Sequence, residues 1–172
     1  MLPNKTTIAL VDDHPIVMEG LARLLEKEEN IHVAGRFTTG REFLDYLSDT
    51  SLHVVLLDIT LPDISGIELC KKTKEIAPAT IVLALSNHHN RGIIMEMLQN
   101  GASGYLLKNA TLEELITCIN EALNGQIAFS QAVKEIIAAP QLNSFRELAR
   151  LTTREKEILG MLASGKTTTE MA

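Results

Sequence analysis

The sequence predicts an α/β fold: a doubly wound sheet of five parallel strands, followed by a helical tail. Short apolar segments alternate five times with amphipathic helical segments along residues 5–125. The strand segments are continuously apolar rather than alternating, which is typical of strands buried on both faces of a sheet. Right-handed crossovers leave few topologies, and 2-1-3-4-5 is the expected strand order.

The element boundaries follow from turn and capping residues. The five predicted strands cover, in order, residues 7–11, 32–37, 53–57, 80–85 and 104–107. Pro15 suits the first turn of a helix, because its missing N–H would be unpaired there anyway. Thr111 and Glu114 predict a capping box that opens the fifth helix. Gly101 is well placed as a left-handed stop for the fourth.

Length and composition indicate one full domain and part of a second within the 172 residues. No apolar stretch approaches the ~20 residues of a membrane span, and the N-terminus lacks a signal-peptide layout. We therefore expect a cytoplasmic protein with no membrane partner. Cys70 and Cys118 have no metal-ligand spacing and are expected to be free thiols in a reducing compartment.

The net charge of −6 is unevenly distributed. Residues 1–127 carry 10 basic and 17 acidic side chains, whereas residues 128–172 carry 6 and 5. An acidic first domain argues against DNA contact through that domain. The tail is almost neutral, so charge alone does not indicate nucleic-acid binding there either.

Polar side chains stand at the ends of four apolar segments. TIALV precedes Asp12 and Asp13, HVVLL precedes Asp58, TIVLAL precedes Ser86, and SGYLL precedes Lys108. In an open parallel sheet, ligands bind just outside the carboxyl ends of the strands. One rim would thus hold three carboxylates, a hydroxyl and an ammonium, a set that suits a hard divalent cation and a phosphoryl group.

The chemistry of these groups supports that interpretation. Asp12 and Asp13 beside Asp58 would repel one another unless a cation lay among them. Mg²⁺ prefers six oxygen ligands and keeps several waters. The carboxylate of Asp58 can act as a nucleophile and form an acyl phosphate. Lys108 could contact the same phosphoryl group, and the hydroxyl of Ser86 could donate to one of its oxygens.

Each residue also has a plainer interpretation. Asp12 and Asp13 are good caps for the helix that follows them. Lys108 could be a solvated surface lysine, and Ser86 a turn serine at a strand end. Tyr105, within the fifth strand, could be a half-buried packing residue.

At these residues the chain resembles the receiver domain of a two-component response regulator, which has a flavodoxin-like (CheY-like) fold. The resemblance covers about residues 5–125. Its motifs are VDDHP at 11–15, LLDITLPDISG at 56–66, ALSN at 84–87 and GASGYLLKN at 101–109. The resemblance implies that Asp58 is a phosphoacceptor supplied by a sensor histidine kinase.

The resemblance also implies a magnesium site. Asp13, Asp58 and the backbone carbonyl of Thr60 would bind the ion directly, and Asp12 largely through water. Two residues, Asn109 and Asn87, differ from those common in the family, and two more, Thr60 and His88, lie at variable positions. These differences leave the rates of phosphorylation and dephosphorylation open. His88 and its neighbour His89 are expected to face solvent rather than to bind metal.

Switching is the third implication of the resemblance. Ser86 and Tyr105 match the switch pair, and Lys108 matches the phosphate-contacting lysine. Phosphorylation would move Ser86 toward the phosphoryl group and swing Tyr105 inward. The face of the fourth helix, fifth strand and fifth helix would repack, a two-state response to a local charge. In a complete protein this would release a DNA-binding domain and favour a homodimer.

The tail resembles the start of a LuxR-type helix-turn-helix, with LTTREKEILGMLASGKTTTEMA at 151–172. We therefore expect a receiver over 1–127, a helical linker over 128–147 and a truncated DNA-binding domain over 148–172, as in the NarL/FixJ class. The family's recognition helix comes third of four, and this chain ends within the second. DNA binding is thus expected of the complete protein, but not of this chain.

Two rival functions remain open at this point. The chain could be a receiver used only as an interaction module, without DNA output. It could also be an aspartyl-nucleophile phosphohydrolase, although the haloacid dehalogenase pattern requires a second Asp where this chain has Thr60. The leading expectation is a regulator that is no enzyme beyond its own phosphorylation and dephosphorylation.

Overall fold

The computed structural model describes residues 5–140, which form a six-stranded parallel sheet in the order β2-β1-β3-β4-β5-β6. The strands are β1 (Thr6–Val11), β2 (Ile31–Phe37), β3 (Val54–Leu57), β4 (Ile81–Ser86), β5 (Gly104–Leu107) and β6 (Ala128–Phe129). The predicted order of the first five strands is confirmed, and a short sixth strand lies beside β5.

Between residues 5 and 140, six helices connect or follow these strands: α1 (Pro15–Leu25), α2 (Gly40–Asp49), α3 (Gly66–Ile76), α4 (Arg91–Gln99), α5 (Leu112–Leu123) and α6 (Gln131–Ala138). The predicted helix signals are confirmed. Pro15 opens α1, both bonds of the capping box join Thr111 and Glu114, and Gly101 has a φ of +99° directly after the last turn of α4.

The helices cover both faces of the sheet, and each face has its own core. On one face α1 and α5 contribute Met18, Leu25, Leu115 and Ile119. On the other face α2, α3, α4 and α6 contribute Phe43, Leu69, Ile94 and Val133.

Because successive strand side chains point to opposite faces, β1 sends Ile8 and Leu10 to the first core and Ala9 and Val11 to the second.

The compact unit extends to Ala138, because β6 and α6 pack on the edge of the sheet. The functional division at residue 127 stays a prediction. Within the linker expected to be helical, α6 is present, whereas residues 141–147 of that linker and the helices expected within 148–172 lie outside the described residues. Among the described residues, no helix is long and apolar enough to cross a membrane.

Candidate functional site

Strand pairing brings the polar strand ends to one edge of the sheet. Asp12 follows β1, Asp58 follows β3, Ser86 ends β4 and Lys108 follows β5. The N–H of Asp58 donates to the carbonyl of Val11 at 2.8 Å, and the N–H of Lys108 donates to the carbonyl of Ser86 at 2.9 Å. These backbone bonds align the ends of neighbouring strands, so side chains far apart in sequence share one rim.

Lys108 bridges two buried carboxylates at this rim. Its Nζ donates to Oδ2 of Asp12 at 2.6 Å and to Oδ2 of Asp58 at 2.8 Å. The lysine side chain is 12% exposed, and the two carboxylate side chains are 9% and 5% exposed. The interpretation of Lys108 as a solvated surface lysine is therefore wrong. Lys108 is the side-chain cation that contacts both acids.

The pKa values of the bridged groups follow from these contacts. Burial raises the pKa of the Asp12 carboxyl, but hydrogen bonds from Lys108 and His14 outweigh burial and hold that pKa below its ordinary value of 3.8. Burial likewise lowers the pKa of the Lys108 ammonium, whereas its hydrogen bonds to Asp12 and Asp58 hold it above 10.5. Both groups are thus charged at neutral pH.

The acidic cluster also contains a histidine that the sequence analysis missed. One ligand atom from each of Asp12, Asp13, His14 and Asp58 lies within 4.8 Å of the others. Nδ1 of His14 lies 2.8 Å from Asp12 Oδ1 and 2.9 Å from Asp13 Oδ1. The available signal was its place directly after the acid pair, at the residue that precedes α1.

Helix capping does not explain the two adjacent acids. The residue preceding α1 is His14, and no side chain caps this helix. Asp12 instead accepts a hydrogen bond from the backbone N–H of His14 at 2.9 Å. Three carboxylates with one ammonium leave excess negative charge at the rim, and their oxygens suit a hard divalent cation. The donor set therefore fits Mg²⁺.

His88 connects the polar groups on the far side of Asp58. Thr60 N donates to Asp58 Oδ1 at 3.2 Å, and Thr60 Oγ1 lies 3.0 Å from His88 Nε2. The N–H of His88 donates to Ser86 Oγ at 3.1 Å. The expected exposure of His88 is confirmed, but its contacts link the loop after β3 to the loop after β4.

Tyr105 lies fully inside the protein. Its ring is 0% exposed, and its hydroxyl donates to the carbonyl of His88 at 2.9 Å. Burial raises the pKa of this phenol, partly offset by a hydrogen bond with Ser86, and the nearby Asp58 charge raises it further. The ring of Tyr105 thus already lies in the inward position that the prediction assigns to the phosphorylated state. The half-buried interpretation is wrong, since the ring is wholly buried, whereas movement of Tyr105 on phosphorylation stays a prediction.

The loop after Asp58 folds back closely on the strand end. The N–H of Gly66 donates to the carbonyl of Ile59 at 2.8 Å. A Cβ at Gly66 would lie 2.4 Å from Ile59 Cα and 2.6 Å from the Asp58 carbonyl oxygen. Asp63, in the same loop, accepts hydrogen bonds from the N–H groups of Gly40 and Arg41 and thereby ties the loop to α2. The loop can approach Asp58 this closely only with glycine at position 66.

Comparison with known proteins agrees with this architecture. The family model described as the response regulator receiver domain matches residues 8–120. The chain is 32% identical over 168 residues to the transcriptional regulatory protein MctR of Rhizobium johnstonii, covering 98% of this chain and 78% of MctR. It is 30% identical over 165 residues to the nitrate/nitrite response regulator protein NarL of Escherichia coli K12, covering 92% of this chain and 76% of NarL.

Solved structures show the same likeness. A LuxR-family two-component response regulator from Aurantimonas superposes with a TM-score of 0.74 at 32% identity, covering 78% of this chain and 96% of that one. The RcsB response regulator of Salmonella typhimurium superposes with a TM-score of 0.78 at 26% identity, covering 98% of this chain and 82% of RcsB. Another structure shows an RcsB–DNA complex, with a TM-score of 0.75.

The fold and the acidic rim thus define a receiver, and this chain belongs to the response regulator receiver domain family. More particularly, it is a two-component response regulator of the NarL/LuxR type, the type that regulates transcription. Its relatives are response regulators rather than classical enzymes, so the phosphohydrolase alternative is not favoured. The interaction-module alternative is not favoured either, because the relatives include transcriptional regulators.

Proposed function

We propose that Asp58 is the phosphoacceptor of this regulator and that a sensor histidine kinase supplies the phosphoryl group. The observation that carries this proposal is the contact of Lys108 with both Asp58 and Asp12 at the buried strand ends. One oxygen of Asp58 is held by Lys108 and the other by the N–H of Thr60. A carboxylate oriented in this way is positioned to act as a nucleophile.

The transfer forms one bond and breaks one. A carboxylate oxygen of Asp58 bonds to the phosphorus of the donor, and the bond between that phosphorus and the donor's leaving atom breaks. The electron pair of the broken bond leaves with the donor, which is the histidine imidazole of the kinase or the acetate of acetyl phosphate. Lys108 stays protonated throughout and stabilises negative charge on the transferred group. Ser86 donates its hydroxyl to a phosphoryl oxygen.

Asp12, Asp13, Asp58 and the backbone carbonyl of Thr60 would hold Mg²⁺. Support comes from the convergence of the three carboxylates, of which Asp12 and Asp58 are almost fully buried. The ion would neutralise charge on the phosphoryl oxygens. Nδ1 of His14 contacts Oδ1 of both Asp12 and Asp13, so these two carboxylates lie together beside the site.

We propose that this protein acts in the cytoplasm and that its output follows that of its relatives. RcsB occurs as dimers bound to DNA, and MctR and UhpA are transcriptional regulatory proteins. We accordingly propose a homodimer on phosphorylation and DNA binding by the complete regulator. Ser86 and Tyr105 form the proposed switch pair. The backbone of His88 contacts both residues, so a movement of either side chain would move the β4–α4 loop.

Intact-mass spectrometry after incubation with acetyl phosphate and Mg²⁺ tests the proposal. We expect wild type to gain the mass of one phosphoryl group and Asp58→Asn to gain none. Asp45→Asn, an exposed acid of α2, is the matched control and should behave as wild type. Equal gains in wild type and Asp58→Asn would contradict the assignment of Asp58. Magnesium removal by EDTA should abolish the gain.

A further inference from the structure

Helix α6 lacks the end charges that would stabilise it. It has no acidic residue in its first turn and no basic residue in its last turn. A helix dipole favours negative charge at the N-terminus and positive charge at the C-terminus. An eight-residue helix is also marginal by itself. Side chains from other elements supply what α6 lacks.

Glu114 of α5 caps the N-terminus of α6. Its Oε1 accepts a hydrogen bond from the N–H of Gln131, the first residue of α6, at 3.0 Å. Its Oε2 accepts from the N–H of Thr111 at 2.9 Å, which closes the capping box of α5. One carboxylate therefore caps two helices and ties the start of α6 to α5.

Arg91 of α4 caps the C-terminus of α6. Its Nη1 donates to the carbonyl of Ile137 at 3.0 Å. Arg91 is the first residue of α4, whose first turn has no acid, and a cation is unfavourable at that end of its own helix. Its Nε is buried without a hydrogen-bond partner among the described residues. A buried donor without a partner costs free energy, which weakens the Arg91 contact.

The chain directly before α6 is joined to the strand of Tyr105. Phe129 of β6 pairs with Tyr105 in register, and the N–H of Ser130 donates to the carbonyl of Tyr105 at 3.4 Å. The carbonyl oxygen of Ala128 would lie 2.3 Å from a Cβ at Gly104, so glycine is required for β6 to approach β5. Arg91 lies three residues after His88, to whose carbonyl the hydroxyl of Tyr105 donates.

We propose that Glu114 and Arg91 form a clamp on α6 and that phosphorylation of Asp58 opens its Arg91 end. This step rests on the proposed function. Movement of Ser86 toward the phosphoryl group displaces the β4–α4 loop, because the N–H of His88 donates to that hydroxyl. Arg91 is carried along with the loop, while Glu114 stays with α5. Helix α6 then conveys the state of the site to the residues that follow Ala138.

Hydrogen exchange in the unmodified full chain tests the clamp. We expect Arg91→Gln to speed exchange in the peptide 131–138 by about two- to fivefold, the effect of losing a favourable positive charge at a helix C-terminus. Arg91→Lys keeps a cation and should retain most of the protection. Arg41→Gln changes an arginine in the first turn of α2 and should have no effect. Equal exchange in the Arg91→Gln and Arg41→Gln variants would overturn the clamp.

The same readout after acetyl phosphate treatment tests the switching step. Exchange over 131–138 should rise in phosphorylated wild type, but should stay at its already high level in Arg91→Gln. Wild type that gains the phosphoryl mass without any change in α6 exchange would overturn the switching step and leave the proposed function intact. If wild type does not gain the phosphoryl mass, the proposed function and the switching step both fail. The clamp itself is still tested by hydrogen exchange in the unphosphorylated Arg91→Gln and Arg41→Gln variants.

Discussion

The ammonium of Lys108 lies 2.6 Å from a carboxylate oxygen of Asp12, although 96 positions separate the two residues. The same ammonium contacts Asp58. Three strands therefore meet through one side chain at the proposed phosphoacceptor, Asp58. Removal of either partner would leave a buried charge unpaired, which is far more costly than loss of a surface ion pair.

Replacement of Lys108 by Met should destabilise the protein by about 2–4 kcal/mol, because two buried carboxylates lose their counter-charge. Urea unfolding measures the loss. Lys72→Met is the control, since Lys72 forms an exposed pair with Glu68 and should cost at most ~1 kcal/mol. Added Mg²⁺ should restore more stability in Lys108→Met than in wild type. Equal losses in the two variants would contradict the bridging role.

The bridge also predicts how stability depends on pH. The Asp12 pKa is lowered in the folded state, so its contribution is present above about 3.8 and is lost as pH falls through the lower folded pKa. The Lys108 pKa is raised, so its contribution is present below 10.5 and is lost as pH rises through the higher folded pKa.

Urea midpoints measured from pH 2 to 12 test these two windows. Asp12→Asn should reduce the loss of stability at acid pH only in part, because the pKa values of Asp63 and Glu114 are lowered too. Lys108→Met should reduce the loss of stability at alkaline pH only in part, because the pKa values of Tyr105, Cys70 and Cys118 are raised too. An acid limb identical in Asp12→Asn and wild type would show that Asp12 is not held ionised by its partners.

Gly66→Ala should destabilise the protein by about 1–3 kcal/mol, because the new methyl group would overlap backbone atoms of Ile59 and Asp58. It should also slow phosphorylation by acetyl phosphate, since the loop that positions Asp58 must move. Thermal unfolding and the rate of mass gain measure the two effects. Gly20→Ala is the control, because nothing lies within 4 Å of its added Cβ in α1. That change should stabilise by roughly 0.5–1 kcal/mol.

Tyr105→Phe should cost about 1 kcal/mol, because the carbonyl of His88 loses its donor while the buried ring keeps its packing. Tyr46→Phe is the matched control. Tyr46 packs against Phe37 with ring centroids 5.0 Å apart and should lose less than ~0.5 kcal/mol. If both variants unfold at the same urea concentration, the Tyr105 hydroxyl contributes nothing to holding the β4–α4 loop.

The two buried cysteines should resist thiol reagents until the protein unfolds. Burial raises the pKa of both Cys70 and Cys118 to about 11. At pH 8 only about 0.1% of each would be thiolate, the reactive form. Iodoacetamide labelling followed by mass spectrometry should give little product in buffer and full labelling in urea. Rapid labelling in buffer would show that the helices carrying them open easily.

Most of the fold was predictable because it depends on local signals. Apolar segments marked the strands, and Pro15, Gly101 and the pair Thr111 and Glu114 marked helix ends. The sixth strand was not predictable, since two residues carry no periodicity. Gly104 permits this strand, because a side chain at position 104 would collide with the backbone of residue 128.

The candidate site was predictable for a topological reason. Parallel strands of an open sheet end at one edge, so polar residues at strand ends converge whatever their separation in sequence. His14 was missed because its role depends on ring direction, and the contact between Thr60 and His88 crosses two loops whose paths the sequence does not specify. The inward position of Tyr105 is a packing result that no strand pattern reveals.

The sequence by itself determined which residues stand at the strand ends and to which family the chain belongs, because strand patterning and motifs are local. Only the tertiary structure decided that one ammonium contacts both buried acids and that α6 takes its two caps from α4 and α5. Those contacts join elements distant in sequence. Their existence depends on strand register and side-chain direction, which are set when the sheet and its helices pack together.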